Sequence, residues 1–279
     1  MKADFLTKII ETKRQEVEKA RKVMPESRLV AKVRPSEDRR SFLAKLAVPG
    51  PPGANIIAEI KRASPSRGDI RLDLDAERQA RSYERAGAAA ISVLTDQAFF
   101  RARPDDLQKV RGAVNLPVLR KDFIILPYQI YQTAAMGADA VLIIVRALSR
   151  EMLKDLLDLC RDVGLDALVE VHSEEEMVVA TRAGARLIGI NNRDLSSFQT
   201  DIQTSMRLAR QIQEGQIAVA ESGIHERRQV ESLLTAGIWN FLVGESLVRA
   251  PDPKVFLREL LGQEGSDSRV GTKPALTES

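Results

Sequence analysis

Ile56-Ile57-Ala58-Glu59-Ile60-Lys61-Arg62 begins as an apolar, strand-like run and ends in charge. The rest of the chain repeats that pattern. Counting this one at 56–60, there are eight apolar runs; the others lie at 90–94, 117–119, 140–145, 167–171, 187–190, 217–220 and 241–243, and six of the eight carry or lead into charged or amide residues at their C-terminal ends. Between them run helix-period segments that end at Gly87, Gly112, Gly137, Gly164, Gly184, Gly215 and Gly237, the position a left-handed helix C-cap takes. Near-continuous apolar strands alternating with amphipathic helices point to a parallel sheet buried on both faces. Eight such units predict closure into an α/β fold, a single (β/α)8 TIM barrel, in which the C-terminal strand ends form the floor of an active site. An open doubly wound sheet is the weaker choice, because no Gly-x-Gly-x-x-Gly follows the first strand.

The chain has 279 residues, 44% of them apolar, enough for one large core and no second full domain. Residues 1–53 form an N-terminal helical extension packing on the barrel, 54–262 the barrel, and 263–279 a polar tail expected to be disordered. Within the extension, residues 5–24 read as one helix with Ile9, Ile10, Val17 and Ala20 on its apolar face. It either plugs the bottom of the barrel or forms a lid over its top. Ser173-Glu174-Glu175-Glu176 reads as a capping box at a helix start.

Cys160, the one cysteine, sits in a helical pattern and reads as a packed core thiol, which excludes a disulfide framework. No basic stub followed by a long apolar run opens the chain and no membrane-length apolar stretch occurs, so the expected location is cytoplasmic with no membrane partner. A net charge of +3 with 4% aromatics offers neither the basic run nor the stacking platform that nucleic acid requires. A small anionic ligand fits better.

Side chains alternate along a strand, so Glu59 and Lys61 project to one side, as do Asn191 and Arg193. With Lys121, Glu170 and Glu221 at other strand ends, the mouth gathers two ammonium groups and three carboxylates, a set suited to general acid–base chemistry. Glu221-Ser222-Gly223 and Gly244-Glu245-Ser246 follow the seventh and eighth strands, where this fold commonly binds phosphate. Ser64-Pro65-Ser66 stiffens the first loop beyond a strand. His172 and His225 lack partners at metal-ligand spacing and read as capping or surface residues. From the residues alone the reading ends at acid–base chemistry on a small phosphorylated substrate, or Schiff-base chemistry on Lys121 or Lys61.

The strings Ala58-Glu59-Ile60-Lys61-Arg62-Ala63-Ser64-Pro65-Ser66, Leu119-Arg120-Lys121-Asp122-Phe123, Leu168-Val169-Glu170-Val171-His172, Ile190-Asn191-Asn192-Arg193-Asp194, Ala220-Glu221-Ser222-Gly223 and Val243-Gly244-Glu245-Ser246, in that order, resemble the indole-3-glycerol phosphate synthase family of tryptophan biosynthesis. That resemblance implies a carboxy-lyase that closes 1-(2-carboxyphenylamino)-1-deoxyribulose 5-phosphate to an indole with loss of carbon dioxide and water, using no cofactor and no metal. It implies Lys121 as general acid, Glu170 and Glu59 in later proton transfers, Lys61 as substrate ligand or second acid, and Asn191 with Arg193 orienting the anthranilate end. A lysine in that role needs a lowered pKa, which a dry mouth and a second cation such as Lys61 would supply. Substrate contacts are further implied for Arg62, Ser64, Phe100, Phe123, Glu221 and Ser222, and phosphate contacts for Lys61, Gly223, Gly244, Glu245 and Ser246. A monomer, associated at most with other enzymes of its pathway, is expected. One departure stands out. Where the family carries aromatic-x-Gly-Ser after the second strand, this chain reads Phe100-Arg101-Ala102-Arg103, a change that would reshape the loop, alter affinity or mark a paralogue. A Schiff-base aldolase and a non-catalytic descendant are the rival readings.

Overall fold

The apolar runs become strands because nearly all their residues, many of them β-branched, pack on both faces in the computed structural model, which describes residues 5–33, 39–194 and 198–263. They are β1 (Asn55–Ile60), β2 (Ala90–Leu94), β3 (Val118–Lys121), β4 (Ala140–Ile144), β5 (Asp166–Val171), β6 (Leu187–Asn191), β7 (Ile217–Glu221) and β8 (Asn240–Val243). All neighbours are parallel, in the order β1-β8-β7-β6-β5-β4-β3-β2, and β1 pairs with β2 (Ile57 opposite Ala90) to close a (β/α)8 barrel. The third strand runs on to Lys121 and the fourth stops at Ile144, with Val145 opening a short 3-10 turn.

Thirteen helices surround and cap the strands among the described residues. Before the barrel lie α1 (Phe5–Val23), α2 (Glu26–Val30) and α3 (Phe42–Leu46). The first half of the barrel carries α4 (Ala76–Arg85), α5 (Gln97–Phe100), α6 (Asp106–Ala113), α7 (Pro127–Ala135) and α8 (Arg150–Asp162). The second carries α9 (Glu174–Arg182), α10 (Gln203–Leu208), α11 (Arg227–Thr235), α12 (Glu245–Arg249) and α13 (Pro253–Leu260). Asp75, Asp96, Ser149, Ser173 and Asp252 each accept a backbone N–H at a helix start. Six of the seven junction glycines have positive φ as expected. Gly112 does not, because α6 runs past it to Ala113 and passes into extended backbone at Val114.

Strand parity sorts the core into two layers. Ile57, Leu119, Leu168, Leu187, Val219 and Leu242 point into the barrel, whereas Ile56, Ala58, Ile60, Val169, Ile188 and Phe241 face the helices. Phe42 and Leu46 of α3, both fully buried, stopper the bottom against Ala89, Ala90 and Ala140. That stopper is pinned by Trp239 Nε1, which donates to Leu46 O (3.1 Å), and by the Leu43 amide, which donates to Asp166 Oδ2 (2.8 Å). The opposite end is roofed by α1. The extension therefore supplies both the lid and the plug, each from a different helix. Residues 264–279 lie outside the described residues, and with them all but Gln263 of the expected tail. Cys160 is buried in the outer core layer, and burial pushes its thiol up to about 12. No helix among the described residues is long and apolar enough to cross a membrane.

Candidate active site

Inward parity carries each strand from an apolar residue in the barrel core to a polar one at its mouth: Ile57 to Glu59, Leu119 to Lys121, Leu168 to Glu170, Val219 to Glu221. Lys121 Nζ stands at the centre of this floor, 2.9 Å from Glu221 Oε2 and 3.0 Å from Glu59 Oε2. Lys61 Nζ takes the other oxygen of Glu59 at 2.8 Å. Asn191 Nδ2 donates to Glu170 Oε1 (3.1 Å), and Asn191 Oδ1 accepts from the Arg193 amide (3.0 Å). Two close approaches make the floor possible. A side chain at Gly189 would collide with the Glu221 carboxyl, and one at Gly244 with that of Glu59.

The charges set one another's protonation. Burial by itself would push Glu59 up, but the ammonium groups of Lys121 and Lys61 outweigh it and hold the carboxyl at about 2. Burial would lower Lys121, yet Glu221, Glu59 and Glu170 overcome it and raise the ammonium above its usual range. The lowered lysine expected of a general acid is thus corrected: the three carboxylates outweigh the burial and the second cation that were expected to lower it, and the acid is loaded at neutral pH. Glu221 is raised above the usual carboxylate range, chiefly by burial and against the pull of Lys121.

Around this floor lies a solvent-open space of about 1120 Å³. Ser64, Phe100, Phe123, Arg193, Ser222 and Gly223 line it together with the floor residues Glu59, Lys61, Lys121, Glu170 and Asn191. Gly244, Glu245 and Ser246 complete the β8 side. Phe5, Leu6 and Ile9 of α1 roof it, with Phe5 edge-on to Phe99 and Phe198 at 5.6 and 5.7 Å. Phe100 and Phe123 form a tilted aromatic wall with centroids 6.3 Å apart. Ser222 and Gly223 both have left-handed backbone, φ 66° and 77°, held by Asn192 Nδ2 donating to Ser222 O at 3.1 Å.

Two expectations need correction, Arg62 and Glu221, and at Glu245 and Ser246 the side chain is engaged elsewhere. Arg62 shares parity with Ile56, Ala58 and Ile60, so it faces the helices, where it forms a buried fork with Asp106 and donates to Leu74 O; it does not reach the cavity. Glu221 lies beneath the cavity lining, fully buried behind Lys121, which it serves in place of substrate. Glu245 pairs its carboxylate with Arg67 (3.0 Å) and Arg193 (3.2 Å), and its negative side chain is no phosphate ligand. Ser246 spends its hydroxyl proton on Ile224 O (2.7 Å), tying the β8 loop to the β7 loop.

Other features were missed in the sequence. Lys13 of α1 is buried and bridges Asp96 (2.9 Å) and Asp122 (2.8 Å), latching the lid to the β2 and β3 loops. Lysine at helical spacing with Leu6, Ile9 and Val17 was the available signal. Ser66 Oγ accepts from Arg193 NH1 at 2.7 Å. His172 is no surface residue, and Glu176 reaches back past Ser173 to the His172 amide, so the capping box closes one residue early. Arg101 and Arg103 turn away from the cavity: Arg101, left-handed at the end of α5, faces Asp69 at 3.8 Å, and Arg103 bonds Asp106 and Leu72 O. Among the described residues no group of three or more His, Cys, Asp or Glu is placed to hold a metal ion.

An acid titration is expected to expose this network. Glu59 and Asp122, the latter raised by burial but held at about 2 by Arg120 and Lys13, bind protons more weakly folded than unfolded. Their stabilisation is complete above the ordinary values of 4.5 and 3.8 and is lost as pH falls toward 2. Urea-unfolding midpoints at stepped pH should drop across that window; a midpoint flat through it contradicts the assignment.

Barrel and floor together define an acid–base enzyme acting on a small anionic substrate at the C-terminal strand ends. A family model described as indole-3-glycerol phosphate synthase matches residues 6–260, and the chain belongs to that family. The indole-3-glycerol phosphate synthase of Syntrophobacter fumaroxidans is 56% identical over 260 residues, covering 93% of this chain and 98% of that one. The protein of the same name from Desulfosudis oleivorans is 53% identical, covering 93% and 99%. Among solved structures, a 3-hexulose-6-phosphate synthase (TM-score 0.60, 12% identity, 75% of this chain and 99% of that one) and the Pyrococcus furiosus thiamine phosphate pyrophosphorylase (TM-score 0.59, 17% identity, 80% and 97%) share the fold.

Proposed function

We propose that the protein converts 1-(2-carboxyphenylamino)-1-deoxyribulose 5-phosphate to indole-3-glycerol phosphate, releasing carbon dioxide and water. The observation that carries this reading is Lys121 Nζ held between Glu59 and Glu221 at the centre of a roofed floor in a chain of this family. Lys121, loaded with its proton, donates to the ribulose carbonyl as the ring carbon attacks it. Loss of carbon dioxide then restores aromaticity, so the step calls for no electron sink outside the substrate. Water leaves in a dehydration that needs one base and one acid, roles we assign to Glu170 and, secondarily, to Glu59 and Lys61. Phe100 and Phe123 wall the aromatic ring, Arg193 and Asn191 orient its carboxylate end, and the backbone of Gly223 and Gly244 to Ser246 receives the phosphate.

The finer setting belongs to the same proposal. A single buried thiol suits a reducing cytoplasm. Exposed large apolar residues such as Val23, Val30, Val178 and Val255 fall on four separate helices, which favours a monomer. Mixing purified protein with the substrate, without metal or cofactor, is expected to raise indole fluorescence. No rise from folded protein and verified substrate would remove the reading.

A further inference from the structure

We propose that His172 is a positioning residue for Glu170, its ring clamped between Glu170 and Glu176 so that the catalytic carboxylate is aimed and kept negative. This rests on the role assigned to Glu170 above. His172 follows Glu170 at the same strand parity, and both side chains are only 4% exposed. Its Nε2 lies 3.3 Å from Glu170 Oε1, and its Nδ1 lies 3.2 Å from Glu176 Oε2. Glu176 is itself fixed, accepting from the His172 amide (2.8 Å) and from Arg146 Nε (2.9 Å). The ring therefore cannot turn without leaving both Glu170 on β5 and Glu176 on α9. Asn191 also anchors Glu170 through Oε1, so both fixed contacts fall on one oxygen and the other is left for the substrate.

Helix capping does not explain the ring. Ser173 Oγ already accepts the Glu176 amide, and Glu176 takes the His172 amide, with no part for the imidazole. A buried ring between two carboxylates is costly unless its charge is used. The titratable and charged groups facing it or its partners are Glu170 on β5, Glu176 on α9, Arg146 beyond β4 and, across Glu170, Lys121 on β3. Burial lowers the imidazole, but the adjacent carboxylates of Glu170 and Glu176 raise it to about 9, and it in turn lowers Glu170. The positive form is thus present at neutral pH and lost only as pH rises through that value.

The chain has two histidines, His172 and His225, so nitrogen-15 histidine labelling of the full protein yields two ring systems, assigned with His225→Gln. The His172 ring is expected to stay doubly protonated to about pH 8, and Glu170→Gln to move its midpoint down by about one unit or more. A midpoint below neutrality, or one that ignores Glu170→Gln, overturns the clamp. In turnover, His172→Gln should lower kcat about 10- to 100-fold with KM within about threefold. Wild-type kcat in that variant also overturns it. Because the spectra are read without substrate, a low midpoint with normal wild-type turnover sinks the clamp alone. A wild type without turnover sinks the synthase reading and leaves the spectra to decide the clamp.

Discussion

Lys121→Met is expected to lower kcat for indole formation by about 10³-fold or more while KM stays within about threefold, because a proton donor acts chiefly in the transition state. Lys121 is the one cation within 3.0 Å of both Glu59 and Glu221 among the described residues, and both carboxylates are buried, Glu221 fully. Its removal leaves Glu221 with no cation in contact. Both carboxylates must then hold protons more tightly, so the stability penalty should grow as pH rises above the ordinary glutamate range. Lys121→Arg separates charge from proton transfer, since guanidinium keeps its charge and does not release its proton. If the arginine variant turns over like the wild type, the residue supplies charge alone and the acid must be sought elsewhere. Indole fluorescence and thermal melts at two pH values decide both points.

Lys13→Met should be the most damaging single change in the lid. The ammonium is buried against Asp96 and Asp122, with side-chain exposures of 4%, 0% and 3%, and methionine fills its volume without its charge. Removing one partner of such a pair costs about 3–5 kcal/mol. Asp122 keeps Arg120 (3.0 Å) and Thr95 (2.5 Å), so the lower end of that range is expected. Because Phe5, Leu6 and Ile9 of the same helix roof the cavity, a loosened latch should also raise KM about tenfold with a smaller change in kcat. Urea unfolding and steady-state kinetics read the two effects; a variant unchanged in both would mean that the apolar face of α1 alone holds the lid.

Much of the site was legible because parity is local. Glu59, Lys121, Glu170 and Glu221 each sit two residues beyond an inward apolar residue, so their convergence followed from the strand pattern once closure was inferred. The same rule, applied strictly, would have turned Arg62 away from the cavity with Ile56, Ala58 and Ile60; its place in a family motif drew it in. Gly112 shows the opposite failure. Its spacing matched the other junction glycines, but a helix end depends on what the next residues pack against.

What the chain determined by itself was the count of eight strand–helix units, the barrel, the end at which chemistry gathers and the set of side chains presented there, all of which follow from periodicities of two and 3.6 residues along a single strand or helix. Only the tertiary structure decided which group faces which. Lys121 meets a carboxylate 100 positions away, Lys13 latches loops some eighty and more positions downstream, and His172 lies between a strand carboxylate and a helix carboxylate. Protonation states therefore came out opposite to expectation at Lys121, since a buried charge answers to distances of about 3 Å through space and not to its neighbours in sequence.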